Sequence, residues 1–103
     1  MINKDKLSKK RDSLKSAIER YNLYNSFVKS YNATNSLDAY ILYIKSLCEN
    51  CSDNLVKKYT DMIDTYNNGD NSTLLSHLFN KLLAADEDKN RIANEIKLML
   101  SES

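Results

Sequence analysis

From Leu37 to Tyr66 the apolar residues recur in steps of three and four: Leu37, Ile41, Ile44, Cys48, Cys51, Leu55, Tyr59, Met62 and Tyr66. That spacing is one face of an α-helix, sustained for about eight turns at 3.6 residues per turn. Water does not satisfy a stripe of this length, so the flanking segments have to cover it. Both carry a face of the same period. Before the stripe come Leu7, Leu14, Ala17, Ile18, Tyr21, Tyr24, Val28 and Tyr31; after it come Leu75, Leu78, Phe79, Leu82, Ala85, Ile92, Ile96 and Met99. The first face is thin where Lys10 and Arg11 fall between Leu7 and Leu14, and Lys89 interrupts the third between Ala85 and Ile92.

Local chemistry sets the boundaries. Asn3 is suited to accept from the free N–H groups of a first turn, and Ile2 with Leu7 has the spacing of a hydrophobic staple. The first helix is expected to end near Ala33, where Asn32, Thr34 and Asn35 compete for backbone hydrogen bonds. Ser36 or Asn35 then caps the central helix. Asn67-Asn68-Gly69-Asp70-Asn71 is the clearest loop, with Gly69 placed for a left-handed helix end and Ser72 or Asn71 as the next cap. The reading is an all-α fold in a single helical domain, residues 1–103, with helices at about 3–33, 36–67 and 72–100. Helices of about 45 Å joined by short links are antiparallel neighbours, so the expected architecture is an antiparallel up-down-up three-helix bundle.

Two places leave an alternative open. Cys48-Glu49-Asn50-Cys51-Ser52-Asp53-Asn54 is polar enough for a turn with Ser52 capping a new helix, and Asp86-Glu87-Asp88 suits a helix N-terminus. Breaks near Asn50–Asp53 and Asp86–Asp88 would give four or five shorter helices. Against both, the apolar phase runs through without a shift, which an inserted turn usually disturbs.

Composition narrows the functional classes. With 42% hydrophobic residues in 103, the chain supports one modest core. It has no proline and a single glycine, which leaves nothing for a phosphate-cradling loop or a dinucleotide-binding turn. Net charge is +1, too small to steer the whole molecule to nucleic acid or membrane. Met1 and Ile2 run straight into Asn3-Lys4-Asp5-Lys6 with no apolar leader core, and no stretch approaches the roughly 18 apolar residues of a membrane span. A cytoplasmic protein without membrane contact is the expectation.

Chemistry-bearing residues are sparse. Cys48 and Cys51 form a C-x-x-C, but a redox enzyme of the usual kind would set it on a sheet, and a structural zinc needs four ligands. Two copies sharing the pair could assemble a metal site; at helical spacing on the apolar stripe, both cysteines read instead as small buried hydrophobes. His77, the single histidine, has no predicted nucleophile beside it and reads as a surface or capping residue. Asp86, Glu87 and Asp88 point in different directions on a helix and do not converge on an ion. No enzyme, cofactor or small-molecule substrate is expected.

Two surfaces stand out. Residues 1–20 carry seven basic side chains against three acidic, a local net of +4, and Lys6, Lys9, Lys10, Arg11 and Lys15 are candidate phosphate contacts for nucleic acid. In an up-down-up bundle Asp61, Asp64 and Asp70 would neutralise this end internally, which makes nucleic acid the second reading. The other surface is apolar. Leu23 and Phe27 lie more than a quarter turn off the first stripe, Leu42 and Tyr43 off the second, and Leu83 and Leu98 off the third. Leu23, Phe27, Leu42, Tyr43 and Leu98 are the candidate partner-binding residues; three long helices would set Phe27, Leu42 and Leu98 at one height. A wider core of shorter helices would bury them instead. The functional expectation is a small non-enzymatic interaction protein, of inhibitor, immunity, chaperone or adaptor type, docking an apolar helical surface onto another protein or a second copy in a homodimer.

Overall fold

The structure is a computed structural model and describes residues 3–102. Its regular elements are all helical, in the order α1 (Lys4–Thr34), α2 (Asp38–Cys48), α3 (Asp53–Asn67) and α4 (Ser72–Ser101). The all-α class is as expected. The three-helix bundle is not: the segment read as one helix over 36–67 is two, parted at the Asn50–Asp53 position that the alternative marked.

The break escapes the periodicity because of its length. Glu49–Ser52 is a four-residue link, close to one helical turn in sequence, so the chain changes direction while the apolar spacing stays in phase. Locally the helix tightens before it ends: Asn50 N–H donates to Leu47 C=O at 3.2 Å and Cys51 N–H to Cys48 C=O at 3.4 Å. Ser52 is extended (φ −65°, ψ 157°) and holds the N-cap position of α3, although its hydroxyl makes no capping bond. No break occurs at Asp86–Asp88. There Asp86 pairs with Lys89 at 3.3 Å and Asp88 with Arg91 at 3.4 Å, one turn apart within α4.

The helix ends otherwise follow the sequence closely. Asn3 Oδ1 accepts from Asp5 N–H at 3.1 Å and Lys6 N–H at 3.2 Å, the expected cap. Ile2, the outer half of the expected staple, lies outside the described residues, as does Ser103. α1 closes on Asn35, which turns left-handed (φ 57°) and donates to Tyr31 C=O at 2.7 Å. Neither Asn35 nor Ser36 is the N-cap residue of α2. That position falls to Leu37, whose N–H goes to the Tyr66 hydroxyl at 3.1 Å, while Ser36 Oγ accepts from Asp38 N–H at 3.2 Å. Gly69 is left-handed (φ 101°) and closes α3 on Tyr66 C=O. The side-chain acceptor for the start of α4 comes from Asp70, which takes Ser72 N–H at 3.0 Å and Ser72 O–H at 2.6 Å.

The chain divides into two compact units, Met1–Asn25 with Lys81–Ser103, and Ser26–Asn80. In the first, the early part of α1 runs antiparallel to the late part of α4. Leu7, Ala17, Ala85 and Ile92 are buried along the seam. Lys10 pairs with Glu95, and Arg20 stands 3.9 Å from Asp88. Lys89, the apparent flaw in the third stripe, lies 4.1 Å over the Tyr21 ring, so its stem packs while its ammonium meets an aromatic face. In the second unit, α2 and α3 pack on each other as an antiparallel hairpin, with the start of α2 tied to the end of α3 through Leu37 and Tyr66. Its core is Leu37, Tyr40, Ile41, Ile44, Met62, Leu74 and Leu78.

Candidate functional site

Tyr40 organises the second unit. Absent from the apolar stripe, it is nevertheless 1% exposed, with Phe27 of α1 and His77 of α4 packed against its ring. Its ring lies 5.3 Å from Phe27 and 6.4 Å from Tyr43, and Phe27 and Tyr43 are 5.4 Å apart. Its hydroxyl is hydrogen-bonded to His77 Nδ1 at 2.6 Å, and the His77 ring meets Tyr59 edge-on at 5.7 Å. His77 is therefore a half-buried hydrogen-bonded core residue, not a surface or capping one. Burial pushes the Tyr59 phenol above its ordinary value, with the nearby Cys51, Cys48 and Tyr43 charges acting in the same sense.

The candidate partner-binding residues separate. Phe27 and Tyr43 are half-buried and in ring contact, and Leu23 is half-buried. Leu42 stays 69% exposed on a helix whose Tyr40, Ile41 and Ile44 are buried. Leu98 is 63% exposed and belongs to the first unit, where it lines a depression with Lys6, Lys10, Glu95, Met99 and Glu102. The single height expected for Phe27, Leu42 and Leu98 assumed three long helices and goes with them.

The basic stretch also meets different carboxylates from those expected. Asp61, Asp64 and Asp70 belong to the second unit, and Asp70 is engaged by Ser72. The stretch pairs with α4 instead, Lys10 on Glu95 and Arg20 on Asp88. The Lys10 hydrogen bond holds the Glu95 carboxyl below its ordinary range against the opposing effect of desolvation, and the Arg91 hydrogen bond adds to the lowering. Arg91 donates to both Asp88 and Glu95, and those bonds, Asp88 foremost, raise its own value. Lys6, Lys9, Arg11 and Lys15 are exposed and form no ion pair among the described residues.

Cys48 and Cys51 are free thiols, both half-buried. Among the described residues no group of three or more His, Cys, Asp or Glu side chains is placed to hold a metal ion. No described helix is long and apolar enough to cross a membrane. Comparison with protein-family models, curated proteins and solved structures gives no significant match to this chain.

Proposed function

We propose that this protein is a non-enzymatic interaction module that docks an apolar helical surface onto another protein or onto a second copy. The observation that carries the reading is Leu42. α2 turns Tyr40, Ile41 and Ile44 into the core, yet Leu42 remains 69% exposed, next in sequence to the half-buried Tyr43. In the same unit Leu47, Leu55 and Phe79 are exposed too. Fully burying a leucine against a partner contributes about 1.5–3 kcal/mol before the cost of association, so several such contacts have to act together. Phe27 and Tyr43 act as support, since their rings are tied to Tyr40.

The test is Leu42→Asp. Light scattering on the purified protein sets the mass against the 11.9 kDa of one chain, and immobilised wild type is compared with the variant for retained proteins. A dimer or a retained protein lost in the variant, with helicity unchanged, supports docking through α2. Equal behaviour of wild type and variant removes Leu42 from the interface.

The second reading is binding to nucleic acid, supported by the exposure of Lys6, Lys9, Arg11 and Lys15 without ion-pair partners among the described residues. Lys10 drops out of that set because Glu95 holds it. Affinity through these residues falls steeply with salt; a flat salt response eliminates it.

A further inference from the structure

Cys48 ends α2 and Cys51 lies in the link to α3. The hydrogen bond from Cys51 N–H to Cys48 C=O at 3.4 Å makes residues 48–51 a hydrogen-bonded β-turn. Such a turn holds its first and last Cα atoms within about 7 Å, and a disulfide spans Cα atoms about 4.4–6.8 Å apart. Backbone geometry that closes the turn thus also holds the two cysteine Cα atoms within the span a disulfide bridges, so that closure needs rotation of the side chains. Their surroundings differ. Cys48 lines a surface depression of about 290 Å³ between α2 and α3, with Lys45, Val56, Thr60 and Ile63. Cys51 donates its S–H to Leu47 C=O at 3.0 Å, folded back toward the last turn of α2.

We propose that Cys48 and Cys51 are a site of reversible oxidation, closing to an intramolecular disulfide across the α2–α3 turn by exchange with a low-molecular-weight disulfide. Cys48, open to the depression, gives up its proton and attacks one sulfur of the small disulfide, forming a mixed disulfide and releasing one small thiolate. Cys51 leaves Leu47 C=O, loses its proton and attacks Cys48 Sγ, releasing the second small thiolate. The two protons end on the two released thiols, and two electrons pass from the protein to the small disulfide. The bond fixes the one link that the apolar periodicity does not mark, and it takes the Cys51 S–H from the Leu47 carbonyl, which keeps its bond from Asn50 N–H. It rests on the geometry of the turn and is independent of the docking surface.

The experiment uses the reduced full chain with glutathione disulfide, followed by intact mass without reductant. Expected are a mass lower by two hydrogens, loss of both alkylatable thiols, and recovery of both with dithiothreitol. Cys51→Ser is expected to trap one glutathione on Cys48, and to do so faster than Cys48→Ser traps one on Cys51. In the wild type, decay of the mixed disulfide is expected to be faster folded than in urea. A persistent glutathione adduct on the wild type, a disulfide-linked dimer, two thiols left unreacted, or equal closing rates folded and in urea would each overturn the proposal. Faster trapping on Cys51 would overturn the assigned order of attack.

Discussion

Tyr40 and His77 show how much one hydrogen bond can hold when one partner is buried and the other half-buried. In Tyr40→Phe the ring stays packed on Phe27 and Tyr43, but the hydrogen bond to His77 Nδ1 is lost; urea unfolding is expected to show a loss of about 1–2 kcal/mol. Tyr40→Ala also opens a cavity in the core and is expected to cost about 3–5 kcal/mol. Neither residue announced itself in the sequence: Tyr40 missed the stripe, and a lone histidine carries no pattern. Charge at this scale has a sign that can be checked. Glu95, bonded by Lys10, and Asp70, bonded by Ser72, both titrate below their ordinary range in the folded protein. A carboxyl with a depressed native pKa contributes stability that is present above its unfolded pKa and lost as pH falls through the native one. Stability is therefore expected to decline on acidification below the ordinary carboxylate range. Lys10→Met and Ser72→Ala should each flatten part of that decline in urea titrations run at several pH values. Tyr59 acts at the other limb: its raised phenol contributes stability that is present below pH about 10 and lost as pH rises through the native value.

At the scale of elements, helix ends were legible wherever a short polar or glycine signal has one physical use. Asn3 caps because its carboxamide reaches the free N–H groups, and Gly69 closes α3 because its φ of 101° penalises any side chain. A Cβ at Gly69 would meet nothing within 4 Å, so Gly69→Ala isolates backbone strain from packing; thermal or urea unfolding is expected to show a loss of about 1–2 kcal/mol. Asn35, also left-handed at φ 57°, is expected to tolerate Gly and to lose stability as Ala. The α2–α3 break was legible in its chemistry, the polar Glu49–Asp53 run with Ser52 in capping position, and hidden in its periodicity. Asp86–Asp88 is the opposite case. Its acidic run resembles a helix start, but Lys89, Arg91 and Arg20 supply countercharges that let the helix continue.

For the molecule as a whole, the question is which apolar surface the fold leaves uncovered. Leu42→Asp puts a charge where solvent already reaches, so it is expected to change stability by no more than about 0.5 kcal/mol while removing association measured by light scattering. Phe27→Ser is expected to lose stability outright, because its ring lies within the Tyr40–Tyr43 cluster. The two variants thus separate an exposed residue from a packed one, both assigned to a single surface by the sequence. What the sequence determined by itself was local: the all-helical class, from apolar residues every three or four positions with no proline, and those helix ends that Asn3 and Gly69 mark through their own backbone chemistry. Periodicity reports which side of a helix is apolar, and it is blind to a reversal one helical turn long. The tertiary structure alone decided that the central stripe folds on itself, that Tyr40 and His77 belong inside, that Lys10 and Arg20 answer to α4, and that Leu42 stays in water. Each depends on which segments meet across the chain, and burial follows from that meeting.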